Sequence, residues 1–199
     1  MSRWKPGAQD RLVAAAARLF LQRGYEATTV ADIAAAAGLT ERTFFRYFAD
    51  KREVLFGNPA AYNSVFTDAI TAAPPDAAPL ELLEEALRAA GGFFTGRHPY
   101  ARVRQQIIDA NPALQEREQA KRRHLALAIA QAMQERGLSE PKALLTAELG
   151  AMAFHHAFTR WVSADHETDL GSLAVAVLEE LRAVAVESRS EGAGTPAGR

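Results

Sequence analysis

Between Thr29 and Lys51 the chain reads TVADIAAAAGLTERTFFRYFADK, and this stretch leaves few folds open. Thr29 can cap the start of a helix, with Asp32 three residues on to return a carboxylate to the exposed backbone N–H groups. Val30, Ile33, Ala34 and Ala37 recur at helical spacing and mark a buried face. Gly38 stands where a helix has to end in a left-handed residue, a conformation that a residue without Cβ adopts cheaply. Thr40 can cap a second helix, and Leu39 before it can staple onto Phe44. The spacing predicts two short helices joined by a tight turn, a helix-turn-helix over residues 29–48.

The second of these helices has two chemically distinct sides. Phe44, Phe45 and Phe48 form an apolar side expected to lock it onto its neighbours. Glu41, Arg42, Thr43, Arg46 and Tyr47 point elsewhere, and Lys51 follows just after the helix. Donors clustered on the first turns of a helix suit a major groove, where those residues face base edges and flanking ones hold phosphates. The plainer alternative is an amphipathic hairpin with a solvated basic face. The Gly38 turn, the two capping threonines and the small-residue first helix together argue against it.

The run from Leu12 to Leu55 resembles the DNA-binding domain of the TetR family of transcriptional regulators. The matching features are RLVAAAARLFLQRGYEATTVADIAAAAGLT, then TFFRYF, then Asp50-Lys51 and Leu55. The resemblance implies a dimer, a recognition helix from Thr40 to Phe48, and a ligand-responsive C-terminal domain. On that reading the DNA-binding residues are Thr29, Thr40, Glu41, Arg42, Thr43, Arg46, Tyr47 and Lys51. Arg42 is expected to read a base, and Tyr47 and Lys51 to hold phosphates. Three departures matter. The family usually has Gly or Ala where Arg42 stands, so this chain adds a cation at the groove. It usually has a Tyr, often on a phosphate, where Phe45 stands. Ala31 occupies a place where some members carry a base-reading side chain.

Bulk composition fits this reading. A chain of 199 residues, 48% hydrophobic, accommodates one DNA-binding module and one further helical domain. The net charge of −1 alone would argue against a nucleic-acid binder. Residues 1–56, however, hold nine Lys/Arg against six Asp/Glu, and the excess of acid lies in the rest. Phosphates feel local charge, because screening limits reach to about 8–10 Å at physiological salt. The absence of cysteine excludes disulfides and thiolate chemistry. MSRWKPG lacks an apolar signal core and no apolar run approaches a membrane span, so a cytoplasmic protein with no membrane partner is expected. Arg3, Trp4 and Lys5 are read as a disordered start rather than a minor-groove arm.

The rest of the chain reads as helix after helix, with no strand and no repeat. The first helix ends at Gly24. After Asp50, which can cap, a helix runs from Lys51 past Tyr62, broken or bent near Asn58-Pro59. Further helices are expected over Leu80–Phe94, Tyr100–Asp109, Pro112 to Gly137, Ser139 to about Ala164, and about Asp169 to Glu187. The expected fold is all-α: a three-helix DNA-binding domain over 6–57, a ligand-binding and dimerisation domain over 58–187, and a disordered tail over 188–199. Gly91-Gly92 inside a helix predicts a kink or a close helix approach.

The last two long helices are too apolar for one buried face each. Leu145, Leu149, Met152, Val175 and Leu178 are therefore expected at a homodimer interface, and the resemblance implies a four-helix one reading a palindromic double-stranded operator. Phe93, Phe94, Ile107, Ile108, Phe154 and Phe158 are candidate walls of an effector pocket, with Arg104 and His155 as polar anchors. Such a lining suits a hydrophobic or amphipathic small molecule. No cofactor, metal or catalytic residue is expected: His155 and His156 point about 100° apart on a helix, and His98, His124 and His166 lack partners at ligand spacing. The expectation is a ligand-responsive regulator, a repressor released by its effector and not an enzyme. Repression and activation differ in operator position rather than in the protein's residues. The competing reading is a helical small-molecule-binding protein or enzyme with a vestigial helix-turn-helix. The joint presence of Arg42, Thr43, Tyr47 and Lys51 argues for a working reading head.

Overall fold

The computed structural model describes residues 7–165 and 168–191, with backbone alone for the last seven of these. Those residues form α1 (Ala8–Arg23), α2 (Val30–Ala36), α3 (Glu41–Tyr47), α4 (Glu53–Phe56), α5 (Pro59–Ala72), α6 (Pro79–Phe93), α7 (His98–Asp109), α8 (Pro112–Glu135), α9 (Glu140–Ser163) and α10 (Leu170–Glu191), with no strand among them. Expected bounds hold closely for α1, α2 and α3. Of the break or bend expected near Asn58-Pro59, the structure shows a break. Gly57 ends α4 with φ 65°, and Pro59, which has no N–H to donate, opens α5. At the other end α10 continues to Glu191, past the expected stop near Glu187. Arg3, Trp4, Lys5, His166 and residues 192–199 lie outside the described residues.

The chain divides into two compact units, and the first is not continuous in sequence. It takes residues 1–59 together with 99–121, so the boundary expected at residue 57 misses a second segment. The reason is burial. Leu12, Ala16, Phe20, Ile33, Phe44, Phe48, Val54 and Leu55 share one core with Ile107, Ile108 and Leu114, each nearly or fully removed from solvent. Three short helices have too little apolar area to close such a core alone, and α7 with the start of α8 completes it.

Two arginines fix that packing. Arg117 on α8 donates to both oxygens of Glu53 on α4, at 2.7 and 3.0 Å. Arg104 on α7, itself buried, donates from Nε to the Leu55 carbonyl at 2.7 Å and from Nη2 to Glu118 at 2.6 Å. A planar fork held at both ends in this way positions a helix terminus as well as neutralising charge. The Arg117 guanidinium is raised further above its ordinary value, chiefly by its bond to Glu53.

The second unit holds residues 60–98 and 122–199, with α6, α9 and α10 packed on one another. The expected close approach at Gly91-Gly92 is present, at one of the two glycines. A Cβ on Gly91 would lie 2.1 Å from the Gly171 backbone nitrogen, so α6 and α10 touch backbone to backbone. Gly92 faces open space instead. Arg136 donates to the carbonyls of Thr71, Ala73 and Pro74, which satisfies the last turn of α5.

Candidate nucleic-acid interface

The geometry of the reading head follows from local chemistry. Thr29 accepts from the Asp32 N–H at 3.1 Å, and Asp32 returns a bond to the Thr29 N–H at 2.9 Å, closing the expected capping box. Thr29 Oγ1 also donates to Asp32 at 2.7 Å, and these bonds hold the Asp32 carboxyl below its ordinary range. Gly38 has φ 65°, and the Leu39 N–H reaches back to the Ala34 carbonyl at 2.8 Å. Thr40 accepts from the Thr43 N–H at 3.3 Å and starts α3. Both capping hydroxyls are thus committed to the backbone, although the two threonines stand at the surface.

α3 buries Phe44 completely and leaves Phe48, which ends it, 3% exposed. This anchors one side of a seven-residue helix that could not hold itself in water. Glu41, Arg42, Arg46 and Tyr47 are exposed and Thr43 is half-buried, as a groove-facing side requires. Arg46 donates to the Tyr47 hydroxyl at 3.2 Å, with its guanidinium 4.9 Å from the ring centroid. The pair forms a pre-ordered donor group beside Arg42. Phe45 departs from expectation. Expected on the locking side, it is 53% exposed and pairs with Phe44 in a T-shaped arrangement, ring centroids 5.6 Å apart. At 100° per residue it falls beside Arg42 on the flank rather than under the helix.

Lys51 is placed differently from a phosphate clamp. Its Nζ donates to the Tyr25 carbonyl at 2.8 Å and to the Thr28 carbonyl at 3.0 Å, and stands 4.1 Å over the Tyr25 ring. Those carbonyls belong to the turn between α1 and α2, where Thr28 is fully buried and bonds the Gly24 carbonyl. Beside it Asp50 accepts from the Arg52 and Glu53 N–H groups, the capping role expected of it, and stays below its ordinary pKa mainly through its bond to Arg52. Lys51 is a brace of the head. No spacing in the sequence announces it, because its partners lie 23 and 26 residues away.

The candidate effector residues separate into two groups. Arg104, Ile107 and Ile108 belong to the first unit, where Arg104 spends its donors on Leu55 and Glu118 and the two isoleucines are core. They are not pocket walls with the others. Phe93, Phe94, Phe154 and Phe158 sit together in the second unit with Tyr62, Phe66 and Trp161, at centroid distances of 5.2 to 6.4 Å. His155 is half-buried beside His156. Sequence reasoning passed over the neighbouring cavity of about 420 Å³ among the ends of α6 and α9 and the start of α10. Phe94, Trp161 and Leu170 give it apolar wall, Arg88, Thr95 and Asp169 give it polar atoms, and Gly92 leaves it open.

The expected interface residues also separate. Leu145 is 74% and Met152 47% exposed on one side of α9, with Leu149 and Val175 half-buried. Leu178 is fully buried inside its own chain and is core, not interface. Val184 on α10, 64% exposed, was not singled out.

Comparison with known proteins agrees with this geometry. Residues 12–56 match the family model described as bacterial regulatory proteins, tetR family. Over 84 residues the chain is 42% identical to the HTH-type transcriptional regulator TcmR of Streptomyces glaucescens, a match that spans 42% of this chain and 37% of that protein. Among solved structures, a TetR-family regulator from Syntrophomonas wolfei superposes with a TM-score of 0.59 at 15% identity, over 90% of this chain and 95% of that one. FadR of Bacillus subtilis, solved in complex with stearoyl-CoA, gives 0.56 at 21% identity, over 86% and 96%. Residues 12–56 thus match the tetR family of bacterial regulatory proteins, and the fold across most of the chain is the one these solved structures share.

Proposed function

We propose that the chain is a sequence-specific DNA-binding transcriptional regulator of the cytoplasm, a repressor whose grip on a palindromic operator is released by a hydrophobic or amphipathic small molecule. The observation that carries this reading is α3. One side is locked by Phe44 and Phe48, while Arg42, Arg46 and Tyr47 stand exposed and ordered on the other. Arg42 is assigned to a base, guanine by its bidentate fork, and Arg46 with Tyr47 to flanking phosphates. Thr29 and Thr40 support the interface by holding helix ends, and Lys51 by holding the α1–α2 turn.

Homodimerisation is assigned to the exposed apolar side of α9, Leu145 and Met152 with Leu149, joined by Val175 and Val184 of α10. Apolar surface of this kind on helices otherwise closed by their own core is what a partner subunit buries. The effector is assigned to the cavity beside Phe94 and Trp161, whose volume suits a small molecule and whose lining mixes apolar walls with a few polar atoms. An effector that favours one of two dimer geometries needs a coupling of only about 1–3 kcal/mol to change operator affinity about 5- to 150-fold.

The test is a gel shift of the DNA upstream of the protein's own gene, followed by footprinting. Two protected half-sites about one helical turn or a multiple of it apart are expected. Equal binding to any duplex would point instead to a helical small-molecule binder with a vestigial head.

A further inference from the structure

Phe45 is the most exposed aromatic side chain of α3. It is 53% exposed on the same short helix that presents Arg42, Arg46 and Tyr47. It lacks a hydroxyl, so it cannot donate to a phosphate. Its ring pairs with that of the fully buried Phe44, with centroids 5.6 Å apart and planes at 83°. Three residues after Arg42, it stands on the adjoining flank of that helix. An apolar ring beside a base-reading guanidinium faces a restricted set of groups in a major groove. Base edges there carry donors and acceptors throughout, and a single apolar group, the C5-methyl of thymine.

We infer that Phe45 is a specificity-determining residue that selects a thymine in each half-site by packing its ring against the C5-methyl group, next to the base pair read by Arg42. This rests on the reading of α3 as the recognition helix. It adds a sequence preference at a position where no polar side chain is available to supply one. Burying one methyl is worth about a four-fold change in affinity per half-site.

The test begins by enriching binding sites from a random duplex pool with the wild-type protein. Each thymine of the enriched half-site is then replaced singly by deoxyuridine, which removes the methyl and keeps every hydrogen-bonding atom. One thymine per half-site is expected whose replacement weakens wild-type binding about four-fold. Phe45→Ala, which alters both subunits, should weaken the thymine site about four-fold per half-site, hence about 16-fold for the dimer, bind thymine and deoxyuridine sites equally, bind random duplex as before, and melt at the wild-type temperature. Three results would overturn the inference: wild-type indifference to deoxyuridine at every position, full deoxyuridine sensitivity retained in Phe45→Ala, or an equal loss on random duplex. The deoxyuridine series on wild-type protein needs no variant to fold. Failure to enrich any sequence would overturn the regulator reading itself, whereas enrichment without methyl sensitivity would overturn the role of Phe45 alone.

Discussion

Lys51→Met should unfasten the reading head without removing a DNA contact. The substitution keeps the aliphatic stem and deletes the ammonium that bonds the Tyr25 and Thr28 carbonyls at 2.8 and 3.0 Å and lies 4.1 Å over the Tyr25 ring. A hydrogen bond to a charged group is worth about 1.5–3 kcal/mol, and a cation over an aromatic face about 0.5–1 kcal/mol at a partly solvated site. Water can reach part of this site once the ammonium is gone, so the two bonds do not add in full. A net loss of about 2–3 kcal/mol is expected, a substantial share of a domain's stability. Urea denaturation of the variant should show it as a lower midpoint with unchanged slope. Operator affinity should fall only through the smaller folded fraction, and the dependence of log affinity on log salt should keep its wild-type slope. A phosphate clamp behaves in the opposite way. Its loss leaves the midpoint alone and reduces the salt slope by about 0.9 per contact, or about twice that for a dimer. That second pattern would refute the assignment of Lys51 as a brace.

Further consequences can be measured on the body of the protein. Gly91→Ala should destabilise it severely, because the new Cβ would meet the Gly171 backbone at 2.1 Å, while Gly92→Leu should melt at or above the wild-type temperature and block effector-induced release by filling the cavity. Effector response persisting in Gly92→Leu would move the ligand site elsewhere. Leu145→Asp should give folded monomers by light scattering, since that side chain is 74% exposed, whereas Leu178→Asp should fail to fold, since it places a charge in a fully buried position. Lys121 is pushed down to about 8 from 10.5, first by burial and then by Arg104, against the opposing charge of Glu118. Below pH 8 both folded and unfolded chains carry this proton and the burial cost is felt in full. Between pH 8 and 10.5 the folded chain gives it up first, so stability should rise across that window, by an amount on the order of 1–3 kcal/mol. Lys121→Met should flatten this rise in a pH series of urea midpoints.

How much of this could be read from the sequence depends on the distance over which each feature is decided. The caps at Thr29, Thr40 and Asp50 and the turn at Gly38 involve bonds within three to five residues, and all of them were legible. Phe44 and Phe48 followed from helical spacing, but Phe45 did not. A phenylalanine next to two buried ones reads as core, and only the angular position on a seven-residue helix puts it at the surface. Lys51 and Arg104 looked like surface or pocket cations because their carbonyl partners are 23 to 49 residues away. Ile107 and Ile108 read as walls of a pocket and lie in the core of the first unit, since periodicity gives the face a residue is on and not which core it enters. The same limit separates Leu145 from Leu178. Both lie on apolar lines of their helices, and only packing decides which one its own chain covers.

The central claim is that Arg42 on α3 reads a base in a defined operator. The most direct measurement is the ratio of affinity for a selected site to affinity for random duplex of equal length, at one salt concentration, in wild type and Arg42→Ala. A wild-type ratio of about 10³ or more is expected, with a loss of about 1–3 kcal/mol in Arg42→Ala confined to the selected site and preference relaxed at one position per half-site. A wild-type ratio near one, or an Arg42→Ala variant that loses affinity for both duplexes equally, would contradict it.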